Sequence, residues 1–117
     1  MTTFHLIRAT GSARRQAGLL TSLLNIPNLS FDFETWQVPC TDSVGEFLVN
    51  IKGDKERYRL TEIREVGDGT WEQAQHVKWS DEPGRVRRLE AVGWGARAGT
   101  GNGRPIWVVL WKKPERG

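Results

Sequence analysis

"IWVVLWK", residues 106–112, is the strongest strand signal in the chain. Ile106, Val108 and Leu110 point one way and Trp107, Val109 and Trp111 the other, so both faces are apolar. Such a strand is buried on both sides and belongs at the centre of a sheet. It follows a glycine-rich stretch, "GARAGTGNGRP" (95–105), which the chain tolerates only as a loop or hairpin turn. Gly99, Gly101 and Gly103 precede a strand, whereas phosphate-cradling glycines follow a strand and open a helix, so a turn is the better reading.

Further upstream, "PGRVRRLEAVGW" (83–94) has Pro83 at a first turn and Val86, Leu89, Ala91 and Val92 as a partial apolar face, with Gly93 as its stop. "RVRRLEAVGW" resembles the recognition helix of winged helix-turn-helix domains, and "GTGNGRPIWVVLW" resembles their wing hairpin. The similarity covers residues 43–111 and implies a helical region closed by a C-terminal β-hairpin. It also implies Arg85, Arg87 and Arg88 as groove-facing residues, with Arg97, Arg104, Lys112 and Lys113 on the phosphate backbone. Taken one by one, these cations also fit a solvated helix face and strand end.

The remaining segments extend this to a small α+β domain over residues 1–113, with 114–117 as a frayed tail. "TFHLIRA" (3–9) reads as a first strand. Ala13, Ala17, Leu20 and Leu24 recur at helical spacing behind Ser12 until Pro27. "LSFDFETWQV" (29–38) alternates and then slips by one, which reads as a half-buried strand with a bulge near Glu34. "SVGEFLVNIKG" (43–53) has helical spacing and a capping box, Ser43 with Glu46; a hairpin around Gly53-Asp54-Lys55 is the competing reading, and the helix is preferred. Residues 57–67 suit either a short helix or a strand. Residues 70–79, with Thr70 as N-cap and Gln73 three residues on, are expected to be helical.

The 117 residues carry six tryptophans and a net charge of +3. The charge is uneven: +3 over residues 1–27, −6 over 28–82 and +6 over 83–117. A basic C-terminal region suits a polyanion and an acidic middle suits a basic partner. Cys40 is the only cysteine, which excludes an intrachain disulfide and leaves a Cys-based zinc site without ligands. No apolar run approaches the roughly 20 residues of a membrane span, so a cytoplasmic, non-membrane protein is expected.

No catalytic set stands out. His5 and His76 are the only histidines, and His76 with Glu72, or with Asp81 or Glu82, has no nucleophile motif beside it. The expectation is a non-enzymatic protein without cofactor or metal that binds DNA or RNA through residues 85–113. The alternative is a protein-interaction module, an inhibitor or adaptor of a nucleoprotein complex of the kind phages and mobile elements encode. For it, the contact candidates are Arg14 and Arg15, the acidic Asp32, Glu34, Glu62 and Glu65, and Trp79 and Trp94, whose positions at element ends favour exposure.

Overall fold

The computed structural model describes residues 1–29, 31–95 and 105–114. Its elements are β1 (Thr2–Arg8), α1 (Ala13–Asn25), β2 (Glu34–Val38), α2 (Val44–Asn50), β3 (Tyr58–Gly67), β4 (Thr70–Val77), a one-turn α3 (Glu82–Arg85), a 3₁₀ turn (Leu89–Val92) and β5 (Ile106–Lys112). The fold is α+β, a mixed five-stranded sheet in the order β2-β1-β5-β3-β4. β5 is central, parallel to β1 and antiparallel to β3.

Each face of β5 is covered, as its two apolar sides require. On one face Phe4, Leu6, Leu60, Val108 and Leu110 pack under α2, with Leu89 and Trp94 brought in from the 3₁₀ turn and the chain just after it. Phe4 stacks on Phe47 at 4.3 Å and meets Trp94 edge-on at 5.6 Å. On the other face Ile7, Ile63 and Val109 meet Leu20 and Leu23 of α1. Ser43 and Glu46 form the reciprocal capping box read from the sequence on α2, and on α1 Ser12 is the N-cap, accepting the Arg15 amide.

Four expectations are corrected. Residues 29 and 31–33 are not strand, and the slip at Glu34 marks a change of face. Phe31 and Phe33 lie against Trp71, Trp107 and His5, whereas Trp36 and Val38 belong to the opposite cluster. Residues 58–67, left open between helix and strand, are β3, and residues 70–77, read as a helix, are β4. The hairpin turns at Asp68-Gly69, both with positive φ (51° and 74°), which is the two-residue turn that matches strand twist.

The helix expected over 83–92 is broken after one turn. Val44 N–H donates to the Arg87 carbonyl and Arg88 is extended (ψ 151°), bridged to Ser43, so the chain there runs along the start of α2. Helical geometry resumes only as the 3₁₀ turn, which Gly93 stops in the left-handed region (φ 91°). Finally, β5 pairs with β1 and β3, and not with the chain preceding it as one arm of a hairpin. The described residues between 43 and 111, the span that resembles a winged helix-turn-helix domain in sequence, form a helix, a hairpin, two short helical turns and a central strand. The glycine-rich turn with Arg97 and Arg104, and residues 115–117 of the expected tail, lie outside the described residues.

Candidate nucleic-acid interface

β1 and β5 are parallel and finish at the same end of the sheet, where antiparallel β3 begins: Arg8 pairs with Leu110, and Tyr58 with Lys112. α1 starts there too, since the buried Gln16 accepts the Lys112 amide at 2.7 Å. The topology therefore gathers cations from separate segments at one end. Arg8 lines a cleft of about 390 Å³ with Lys52 and Lys55, while Lys55 and Arg57 share a second with Lys112, and Arg57 and Arg59 a third with Lys113. Arg57 ties the set together by donating through Nε and Nη2 to the Lys113 carbonyl at 3.2 and 3.1 Å. The acids lining these clefts are Asp54 and Glu56.

Arg8 is held in place. Its Nε lies 2.6 Å from Glu34 Oε2 and its Nη1 donates to the Ile51 carbonyl at 2.6 Å. The hydrogen bond from Arg8 Nε holds the Glu34 carboxyl below its ordinary pKa despite some burial acting the other way. Arg14 and Arg15 are exposed in the first turn of α1 at this same end.

Of the sequence-predicted cations, Lys112 and Lys113 join this set and Arg85, Arg87 and Arg88 do not. The three arginines bind their own segment. Arg85 lies over the Trp79 ring at 4.3 Å, donates to the Trp79 carbonyl at 2.9 Å and sits 3.7 Å from Glu82. Arg87 donates to the Ala91 carbonyl, and Arg88 is 3.7 Å from Glu90. Arg8, Lys52, Lys55, Arg57 and Arg59 were not picked out from sequence because four of them lie in the net-acidic middle. "KGDKERYR" (52–59), four cations in eight residues, is the signal that would have found those four.

The acidic and aromatic candidates separate as well. Asp32, Glu34 and Glu65 are exposed. Glu62 is a correction: it is 2% exposed, accepting the Trp94 indole N–H at 3.0 Å and pairing with Arg64 at 3.0 Å. Trp94 is another, fully buried instead of exposed. Trp79 is half-buried beside an open groove of about 620 Å³ lined by Gly45, Val49, Arg85 and the 72%-exposed Val86. His76 pairs with Thr61 and Glu72 with Arg64, on opposite faces of the sheet, so they do not form an acid-base pair.

Among the described residues no helix is long and apolar enough to cross a membrane. No protein-family model, no curated protein and no solved structure matches the chain.

Proposed function

We propose that this protein binds nucleic acid through the basic end of its sheet, with Lys52, Lys55, Arg57, Arg59, Lys112 and Lys113 on the phosphate backbone. One observation carries the reading: cations distant in sequence converge where β1 and β5 finish, and they outnumber the acids beside them, which are Asp54, Glu56 and the Glu34 paired with Arg8. Neutralising phosphates with such groups releases counterions, which supplies affinity without base readout. The experiment is fluorescence anisotropy with labelled single-stranded and duplex DNA and RNA, titrated from low to moderate salt. Lys55→Glu with Lys112→Glu and Lys113→Glu should weaken binding at least tenfold and flatten the salt dependence, each lost phosphate contact removing about 0.7–0.9 from the log–log slope. Arg87→Glu with Arg88→Glu should have a much smaller effect. Absence of binding at micromolar protein, or a loss confined to the Arg87/Arg88 variant, overturns the proposal.

The groove beside Trp79 favours the second reading, a protein-interaction module such as an inhibitor or adaptor of a nucleoprotein complex. Val86 and Val49 are apolar, exposed and next to a half-buried aromatic, the composition of a contact patch. Under this reading Val86→Asp abolishes capture of a nucleoprotein complex, and the triple lysine variant retains it.

A further inference from the structure

We propose that the cleft where α2 ends beside β1 is a phosphate subsite in which Arg8, Lys52 and Lys55 hold one phosphate group, with Lys52 retained for its charge against the preference of its backbone. The proposal rests on the nucleic-acid reading above.

Three described non-glycine residues have positive φ: Asn28, Asp68 and Lys52 (φ 64°). Asn and Asp enter that region readily because their short side chains bond locally, whereas for lysine the conformation is strained. Position 52 is where α2 terminates: Lys52 N–H donates to the Val49 carbonyl at 3.1 Å and Gly53 N–H to the Leu48 carbonyl at 2.7 Å. This is the helix ending that ordinarily places glycine at the residue occupied here by Lys52. The glycine that follows is fixed by packing, since a Cβ on Gly53 would stand 2.9 Å from Leu110 Cδ1.

Capping does not account for the lysine. The Phe47, Leu48 and Val49 carbonyls receive backbone amides, and Ile51's receives Arg8 Nη1, so the helix end is closed without the ammonium. Among the described residues neither Lys52 nor Lys55 has an ion pair. Both instead line the cleft of about 390 Å³ with Arg8, Asp54, Tyr58 and Leu110. Asp54 is the acid that lines the cleft with these three cations, and Glu34, paired with Arg8, orients its guanidinium from the side. A guanidinium in fixed position with two ammonium groups beside it is a donor set for a tetrahedral dianion or a phosphodiester. Backbone strain retained where charge converges is the pattern of a binding site.

The test is Lys52→Gly, which relieves the strain and removes the charge together. The variant should melt at a higher temperature than the wild type yet bind oligonucleotides at least fivefold more weakly. Arg88→Ala, which removes an exposed cation away from the basic end, should cost no more than twofold. Inorganic phosphate titrated into the wild-type protein should shift the backbone amide resonances of residues 52–55, and this shift should vanish in Lys52→Gly. Oligonucleotides with and without a 5′-phosphate distinguish the source: tighter binding of the phosphorylated strand assigns a terminal monoester, and equal binding assigns a backbone diester. If the wild type binds nucleic acid but Lys52→Gly loses no more than Arg88→Ala, the cleft is overturned and the nucleic-acid reading stands. If phosphate shifts residues 52–55 but no oligonucleotide binds, the cleft stands and the nucleic-acid reading falls. No response to either probe overturns both.

Discussion

The guanidinium of Arg85 is stacked over the indole of Trp79, 4.3 Å from the ring centroid, while its Nη1 donates to the carbonyl of that same residue. An arginine that the sequence offers to DNA is thus spent on fixing the strand-to-helix passage after β4. Truncation should therefore cost stability and leave nucleic-acid affinity nearly unchanged. We expect Arg85→Ala to lower unfolding free energy by about 1–2 kcal/mol, the sum of a cation–π contact and one hydrogen bond. Arg85→Lys should recover little of it, because an ammonium cannot lie flat on the ring. Urea unfolding of both variants measures this, and a wild-type midpoint in Arg85→Ala would show that the stack is idle.

Trp94 and Glu62 form a buried pair, indole N–H to carboxylate, under the centre of the sheet. Removing one partner strands the other. Glu62→Leu should cost about 1–3 kcal/mol through the orphaned indole donor, and Trp94→Ala about 3–5 kcal/mol through the cavity. Charge reversal at Glu62 would then abolish partner capture only by unfolding the protein, whereas Glu65→Lys should leave the melting curve unchanged. Circular dichroism melts of the two variants separate these outcomes.

How far the fold could be read depended on whether a local signal had a tertiary competitor. β5 and α1 were legible because their periodicity states directly which faces are buried, and α2 because its capping box settles it against the hairpin. β4 was not. Thr70 and Gln73 imitate a helix start, while the turn that pairs this segment with β3 rests on Asp68-Gly69 alone. The helix over 83–92 failed because Val86, counted as core, faces solvent, while Ser43 and Val44 hold Arg88 and Arg87 along the start of α2. The basic site was half legible. Lys112 and Lys113 lay in the basic third of the chain, but Arg8 and residues 52–59 join them only through the β1–β5 and β3–β5 pairings, which no charge count along the chain contains.

His5 lies between Phe33 and Trp107, each ring 4.5 Å away, and its Nδ1 is buried without a hydrogen-bond partner. Burial pushes the imidazole below its ordinary pKa of 6.5. The unfolded chain therefore takes up the proton first as pH falls. Stability from this group is complete above pH 6.5 and declines below it, as the pH approaches the lowered value of the folded state. His5→Phe should flatten the profile in that window. Urea midpoints between pH 5 and 7.5 measure it, and a wild-type slope no steeper than the variant's would contradict it.

Glu34 titrates with consequences for both stability and the proposed phosphate cleft. The hydrogen bond from Arg8 holds its pKa below 4.5 in the folded state, so the pair's contribution is full above pH 4.5 and is lost as pH drops through the lowered value. Both side chains are partly solvated, at 34% and 45%, which limits the contribution to a few tenths of a kcal/mol. Glu34→Gln should thus barely move the melting temperature at pH 7. Its effect on binding has two opposing parts: an acid is removed from beside the proposed phosphate site, and Arg8 loses the carboxylate that orients it. The Ile51 carbonyl still holds Nη1 in the variant, so the orientation survives in part and the charge gain dominates. Oligonucleotide affinity should accordingly rise about twofold at low salt, with the gain disappearing at high salt as screening removes it. Weaker binding by Glu34→Gln would show that the carboxylate serves chiefly to aim Arg8 into the cleft.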